Sequence, residues 1–250
     1  MNNKSPLSQF QSKFFIALVW LTPIIAMSFL VAACSEISNR VFDEKVDEGI
    51  IEYQVTFPEL GDESLTATLL PNKMTYAFKD DAFASYFEAA GGVFKNRIIA
   101  NRKDKKVEHQ LKVFRKKIKV MMNERDVMKM LTDYPKMAVI NTEDTDTIAG
   151  FYCHKAMLVF EDVSMPKISV YYTKDINMEM PNWCTQYHEI DGVLMAYEIE
   201  EFGVRMKLEA TSVTPGKVED EMLNPTGDFQ AISKDAMDVE LAQLVETFEL

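Results

Sequence analysis

Apolar and polar side chains alternate along most of the chain after residue 48, with the period of a β-strand that buries one face. In the first case Ile51, Tyr53 and Val55 alternate with polar residues, and the pattern stops at Pro58. About ten such segments joined by short turns predict a meander or barrel-like sheet rather than alternating βαβ units. The other main segments are 107–114, 115–122, 150–160, 167–172, 193–200 and 204–213.

Three segments have apolar residues at helical spacing instead. Residues 83–90 predict a helix that ends at a pair of glycines. Asn123 is a good N-cap for a second helix whose apolar stripe lies within 127–134, and Ser233 caps a third one over 237–248. We therefore predict a mainly β (α+β) fold, a single antiparallel sheet covered by a few helices.

The N-terminal segment differs in composition from the rest of the chain. Its only charged residues are Lys4 and Lys13, and 14–33 is apolar and uncharged. This arrangement is typical of a secretory signal, although twenty apolar residues could also span a bilayer as a retained anchor. The segment ends in Leu-Val-Ala-Ala-Cys at Cys34, which resembles the bacterial lipoprotein signal. We expect 1–33 to be a lipoprotein signal peptide and the Cys34 thiol to be acylated.

Cleavage before Cys34 would leave 217 of the 250 residues, with a net charge of −14 because the removed segment carries +2 of the total −12. Acyl chains on Cys34 would anchor the protein to a membrane. Residues 34–48 are polar and acidic, which indicates an acylated N-terminus and a flexible tether, and 49–250 is expected to be a single domain. Ser35 follows the cysteine. A residue other than Asp at this position is compatible with delivery to the outer membrane. The expected location is therefore the bacterial cell envelope, as an outer-membrane lipoprotein facing the periplasm, with the cell surface as the alternative.

Charge and motifs exclude several classes of function. A net charge of −12 and a pI near 4.8 argue against a nucleic-acid partner. The chain has only 9 glycines and lacks a Gly-rich strand-to-helix turn that would hold a nucleotide. It has no Gly-x-Ser-x-Gly sequence, and His188-Glu189 does not continue into the His-Glu-x-x-His motif of zinc proteases. We therefore expect no catalytic residues, no cofactor and no enzymatic activity.

Two thiols remain once Cys34 is acylated, Cys153 and Cys184. In an oxidising envelope they could form a disulfide, or they could be two unpaired core thiols. A third alternative is a metal site that combines them with His154 and His188. Adjacent residues of a strand point to opposite faces, which argues against a metal shared by Cys153 and His154. We expect no metal.

The basic run, which we define as residues 95–119, carries eleven Lys and Arg residues against Asp104 and Glu108, a net charge of +9 in an acidic protein. It could be a solvated outer face balanced by acidic neighbours. It could also contact anionic headgroups or an acidic partner, with each basic residue contributing about 1 kcal/mol near a charged membrane. The candidate headgroup contacts are Lys112, Lys116, Lys117 and Lys119.

Three segments of the second half resemble lipoproteins of the GLPGLI type and neighbouring uncharacterised families. Residues 147–156 resemble a strand of the form I-x-G-[FY]-x-C-x-K-A, and 170–176 resemble the strand that follows it. Residues 189–194 stand at the position of the hexapeptide that names the family. The resemblance implies a fold similar to the lipoprotein carriers LolA and LolB, a curved antiparallel half-barrel covered by helices around an apolar cavity.

The resemblance also directs the functional expectation. A helix-covered half-barrel can hold an apolar ligand, such as a lipid or an acyl chain, in the concave face of the sheet. The 16 methionines fit such a site because their side chains are adaptable, although they equally fit a plain core. The alternative function is a non-catalytic envelope scaffold that binds a protein partner and no small ligand. The resemblance brings neither catalytic nor acyl-binding residues to numbered positions.

Overall fold

The structure, a computed structural model, describes residues 45–60, 70–201, 204–224 and 227–247. The predicted signal peptide, Cys34 and most of the tether lie outside the described residues. All described residues belong to one compact unit, Lys45–Leu250.

Twelve strands form one curved sheet whose two ends are not joined. They are β1 (Glu48–Thr56), β2 (Lys73–Lys79), β3 (Ala82–Ala89), β4 (Phe94–Asn101), β5 (Lys106–Val113), β6 (Lys116–Asn123), β7 (Met137–Ile148), β8 (Phe151–Phe160), β9 (Ile168–Thr173), β10 (Val193–Glu201), β11 (Val204–Pro215) and β12 (Gln230–Ala231). The described helices are α1 (Glu124–Asp133), α2 (Asp220–Leu223) and α3 (Lys234–Thr247), with a 3₁₀ turn at Ala90–Gly92. None of the helices in the described ranges has the length and apolar character needed to cross a bilayer.

The sheet consists of two meanders that meet at β1 and β11. Its order is β12-β6-β5-β4-β3-β2-β1-β11-β10-β9-β8-β7, and neighbouring strands are antiparallel except that β12 runs parallel to β6. Tight turns join consecutive antiparallel strands. Between β7 and β8, for example, Ala149 and Gly150 have φ of 50° and 84°, the positive values that a two-residue hairpin turn requires. The prediction of a mainly β fold with a curved antiparallel sheet and a few helices is confirmed at this level.

The predicted helix over 83–90 is wrong, because these residues form β3, which pairs with β2 and β4. Both faces of β3 are covered. Phe83 lies in the main core, while Ala84 and Tyr86 pack in a small outer cluster with residues near α2. A strand that buries apolar residues on both faces loses its period-two signal. The helical spacing of its aromatic residues was therefore coincidental.

The other two predicted helices are confirmed, and their caps explain where they begin. Asn123 accepts hydrogen bonds from the backbone of Arg125 and Asp126, and the Asp126 carboxylate accepts in return from the Asn123 N–H, a capping box. Ser233 Oγ accepts from the Ala236 N–H at the start of α3. Met237 of α3 is buried against the main core.

The folded body extends further towards the N-terminus than the predicted boundary at residue 49. Val46 is buried and forms a parallel bridge with Ile176, donating to the Asp175 carbonyl oxygen at 2.9 Å. The Asn177 amide donates to Asp47 at 2.7 Å. Residues 45–48 therefore belong to the body, and the prediction that the flexible tether reaches residue 48 is wrong for these four.

Candidate functional site

A cavity of about 420 Å³ lies on the inner face of the sheet, which we define as the face that carries Tyr53, Tyr76 and Phe83 and that α3 covers. Inward side chains of β1 to β6 and of β10 form its wall, and residues 181–187, α3 and the end of α1 close it. Cavities of this size are typical of small-ligand sites. Its apolar wall includes Met74, Phe87, Ile98, Val107, Val120 and Met122.

Aromatic rings form a continuous row across the wall. Phe83 stacks on Tyr76 with ring centroids 5.0 Å apart, and Tyr76 meets Tyr53 edge-on at 6.5 Å. Tyr53 then contacts Tyr197 at 6.0 Å, and Tyr197 contacts Tyr187 at 5.7 Å, both edge-on. Edge-to-face pairs at these distances are favourable beyond the area they bury. The row therefore gives the wall a rigid apolar surface that extends from β3 to residues 181–187.

The tyrosine hydroxyls differ in whether they have partners. Tyr53 donates to the Leu194 carbonyl oxygen at 2.7 Å, and Tyr187 donates to the carbonyl oxygen of Glu198. Burial raises the pKa of both phenols, so they stay neutral. Among the described residues the Tyr76 hydroxyl has no hydrogen-bond partner, and it lines the cavity as an open polar group in an apolar wall.

A histidine adds a second polar feature to the wall. Nε2 of His109 lies 2.6 Å from Oδ1 of Asn96. A carboxamide oxygen only accepts, so Nε2 carries the proton and Nδ1 keeps a lone pair. Burial lowers the pKa of His109 to about 4, a shift that Asp238 opposes and Lys234 reinforces. The ring is therefore neutral at physiological pH, with its orientation fixed by Asn96.

Strand register places the polar wall residues in line. Tyr76 pairs with Ser85, Ser85 with Ile98, and Ile98 with His109, across β2 to β5. The sequence did not indicate this line, because no motif connects His109 with Ser85 or Tyr76. The local signal was the inward position of His109 between Val107 and Leu111, but the alignment with Ser85 depends on long-range pairing.

Cys153 and Cys184 are both free and buried in the structure. Cys153 donates its S–H to the Phe151 carbonyl oxygen at 3.3 Å, and Cys184 lines the cavity. Burial raises the pKa of Cys153 to about 11 and that of Cys184 to about 12. This geometry matches the alternative of two unpaired core thiols, while oxidation to a disulfide in the envelope stays a prediction.

The residues of the metal alternative do not assemble into one site. His154 follows the buried Cys153 on β8 but contacts two aromatic rings, Tyr152 edge-on at 5.2 Å and Tyr172 in a tilted arrangement at 5.6 Å between centroids. His188 is exposed and its ring approaches the Thr185 carbonyl oxygen at 3.3 Å. Within the described ranges no group of three or more His, Cys, Asp or Glu side chains is arranged to hold a metal ion.

The four candidate headgroup lysines lie on β5 and β6, where three of them already have partners. Lys112 donates to the Gly92 carbonyl oxygen at 3.0 Å, Lys119 pairs with Glu108 at 3.1 Å, and Lys116 pairs with Glu240 of α3. In the described part of the chain only Lys117 of the four has neither a hydrogen bond nor an ion pair. These contacts reduce the free positive charge of the basic run, and headgroup binding stays a prediction.

Comparison with known proteins gives similarity in fold alone. Neither a family model nor a curated protein matches the chain. A solved structure of PNGF-II is similar, with a TM-score of 0.50 and 20% identity over 78% of this chain and 32% of that one, so the chain spans about a third of that protein's length. An uncharacterized conserved protein from Thermus thermophilus is similar over 81% of this chain and 99% of its own, at 13% identity and a TM-score of 0.44. A beta-barrel-like protein of a domain of unknown function from Brucella abortus covers 70% of this chain and 100% of its own, at 10% identity and a TM-score of 0.30.

The comparisons assign the chain to no family. The similarity to the PNGF-II structure concerns the fold alone. No family model supports the resemblance to GLPGLI-type lipoproteins, and membership stays a prediction.

Proposed function

We propose that the protein is a lipid-anchored envelope protein whose body binds an apolar ligand, such as a lipid or an acyl chain, inside the sheet. The observation that carries this proposal is the cavity of about 420 Å³ with its aromatic row and its aliphatic and methionine wall. An apolar chain leaves water favourably for such a wall, at roughly 25 cal/mol for each Å² of apolar surface buried. A helix-covered half-barrel similar to the LolA and LolB carriers belongs to the same proposal.

Native mass spectrometry of the protein extracted from its own host tests this function. We expect a co-purifying lipid or acyl compound, and wild-type protein should bind the apolar fluorophore diphenylhexatriene. In the variant Val120→Trp an indole fills the cavity from β6, so fluorophore binding should fall at least tenfold. The matched control Lys117→Trp places the same side chain on the exposed face of the same strand and should bind normally. Equal binding by both variants, or none by the wild type, would contradict the proposal.

The anchor is the second part of the proposal, and it rests on the signal-like segment before Cys34. In the host, Cys34→Ala should abolish incorporation of labelled fatty acid and prevent lipoprotein processing. Cys184→Ala is the matched control and should be acylated normally. Continued labelling of the Cys34→Ala protein would refute the lipoprotein interpretation, and with it the outer-membrane location, while the cavity proposal would stand.

A protein-binding scaffold is the second candidate, and one surface feature favours it. Phe114, in the turn between β5 and β6, is 74% exposed. It adjoins a shallow hollow between that hairpin and α3, lined by Val113, Ile118 and Leu244 among others. Phe114→Ser should leave fluorophore binding unchanged and weaken capture of an envelope partner if this surface is used.

A further inference from the structure

Four tyrosines line the cavity, and their hydroxyls differ in what accepts from them. Tyr53 and Tyr187 each donate to a backbone carbonyl oxygen. Tyr197 reaches only the sulfur of Met74, at 4.0 Å, and a thioether is a weak acceptor. In the part of the chain that the structure describes, nothing accepts from the Tyr76 hydroxyl. A donor on an apolar wall that lacks an acceptor is unfavourable, so Tyr76 is the wall residue with an unmet requirement.

The ring of Tyr76 is held in place, and its hydroxyl lies close to the segment that closes the cavity. The ring stacks on Phe83 at 5.0 Å and meets Tyr53 edge-on at 6.5 Å. Burial raises the pKa of Tyr76 well above its usual value, and the nearby Tyr197 hydroxyl and Cys184 thiol raise it further. The hydroxyl is therefore a fixed, neutral donor on the cavity wall.

The charges of the cavity favour an uncharged ligand group at this donor. Among the described residues that line it, Lys234 of α3 is the one cation, and it pairs with Asp238 at 2.7 Å. Asp133 and Glu200 are further carboxylates on the wall. No charged side chain contributes to the pKa shift of Tyr76. A carboxylate at this hydroxyl would therefore be buried without a cation, which is much more costly than burying a hydrogen-bonded carbonyl group.

A carbonyl oxygen meets the requirement of this part of the wall. It has two lone pairs and no proton, so it accepts from a phenol and adds no further donor beside the Tyr197 hydroxyl and the Cys184 thiol. The neighbouring wall on β4 to β6 is aliphatic and can contact a hydrocarbon chain that continues from the carbonyl group. It includes Ile98, Val107 and Val120.

We infer that Tyr76 forms a subsite for the carbonyl group of an uncharged lipid, with the phenol O–H donating to the carbonyl oxygen. The hydrocarbon part of the lipid occupies the cavity along β4 to β6. This inference rests on the proposed function and adds the class of ligand. It predicts selection for acyl esters, ketones or amides over hydrocarbons and over fatty-acid anions.

Three probes that share a nonyl chain test the subsite. Undecan-2-one carries a ketone, 2-methylundec-1-ene has a methylene group in place of the ketone oxygen, and decanoate has an anionic oxygen in place of the methyl group. Each displaces diphenylhexatriene from the purified full chain, kept in a fluorinated surfactant that does not mix with hydrocarbon probes. The measured quantity is the ratio of the ketone affinity to the alkene affinity. Differences in the hydration of the two probes cancel when this ratio is compared between variants.

One variant and one matched control assign the effect to the hydroxyl. Tyr76→Phe removes only the hydroxyl and keeps the ring that stacks on Phe83, so the variant should be no less stable than wild type. A single hydrogen bond is worth about twofold to tenfold in affinity, and the ketone-to-alkene ratio should fall by about that factor. Tyr53→Phe removes a hydroxyl that is already bonded to the Leu194 carbonyl oxygen, and it should keep the wild-type ratio. Decanoate should bind wild type more weakly than the ketone.

Infrared spectroscopy gives a second measurement that does not depend on affinity. With an isotope label in the ketone carbonyl, the C=O stretch of the bound probe should lie at lower frequency in wild type than in Tyr76→Phe. The reason is that accepting a hydrogen bond weakens the C=O bond.

Each result has one meaning. The same ketone-to-alkene ratio in wild type and Tyr76→Phe, with the fluorophore bound by both, would overturn the carbonyl subsite and leave the proposed function in place. Absence of fluorophore binding would overturn the proposed function and the subsite with it. A decanoate affinity equal to that of the ketone would overturn the selection for uncharged lipids, because it would mean that an anion is tolerated beside Tyr76.

Discussion

The two meanders of the sheet differ in how they fill their interior. Around β8 and β9 the side chains are closely packed. Leu158 is 1% exposed and Val170 fully buried, and a Cβ added to Gly192 would lie 2.6 Å from the Tyr172 ring. Around β2 to β6 the inner face instead borders the cavity, and polar groups such as His109 stand on it without full hydrogen bonding. The close-packed meander supplies rigidity, and the hollow meander leaves the space that a ligand needs.

The largest expected difference between the two regions is in the effect of removing a leucine side chain. Leu158→Ala should lower the free energy of unfolding by about 3 to 5 kcal/mol, because the void cannot be filled in a close-packed cluster. Leu241 of α3 already borders the cavity, so Leu241→Ala should lower it by only about 2 kcal/mol. Urea unfolding measures both. Equal losses would mean that the cavity side is packed as tightly as the other meander.

The two thiols probe the same contrast by their reactivity. A pKa of about 12 for Cys184 and about 11 for Cys153 reduces the reactive thiolate, by about a thousandfold for Cys184 relative to an unfolded cysteine. Alkylation followed by mass spectrometry should therefore be slow at both in the native protein and fast in denaturant. Two free thiols under denaturing, non-reducing conditions would exclude the disulfide, whereas finding none would show that the envelope oxidises the pair.

His109 should make the hollow meander sensitive to acid. Burial lowers its pKa from 6.5 to about 4, so between these values the unfolded chain binds more protons than the folded one. Stability must therefore fall as the pH drops from 6.5 to 4, by up to about 3 kcal/mol from this group. The pKa of about 4 already includes the electrostatic effects of the neighbouring Asp238 and Lys234. In His109→Gln this part of the pH dependence should disappear, and in the control His188→Gln, an exposed residue, it should persist.

Sequence patterns predicted well those strands and helices that have one face exposed to solvent. Alternation located β5 and β6, and the side chains of Asn123 and Ser233 located the starts of α1 and α3, because capping is a local interaction. The pattern failed at β3, where Phe83 and Ala84 are buried on opposite faces.

The candidate site could not be predicted in the same way. Ser85 and His109 are aligned on the inner face only by strand register, which depends on pairing across distant parts of the chain. Whether Cys184 lies near Cys153 is likewise a tertiary property. Local residue patterns could identify an inward-facing histidine on β5, but not what stands beside it.

The smallest expected effect concerns the outer face of the hollow meander, where Lys117 is exposed and, within the described ranges, makes no ion pair. A single lysine near an anionic membrane contributes about 1 kcal/mol, and the attraction fades as salt shortens the Debye length from about 10 Å to about 3 Å. On vesicles that carry the lipid-anchored protein, an amine reagent should modify Lys117 up to about fivefold more slowly when the lipid is acidic and the salt low. Lys136, exposed beside β7, serves as the control and should react equally in all conditions. The ion pairs of Lys116 and Lys119 favour the interpretation of the basic run as an ordinary solvated face. Equal modification of Lys117 on acidic and neutral vesicles at every salt concentration would show that this interpretation is right.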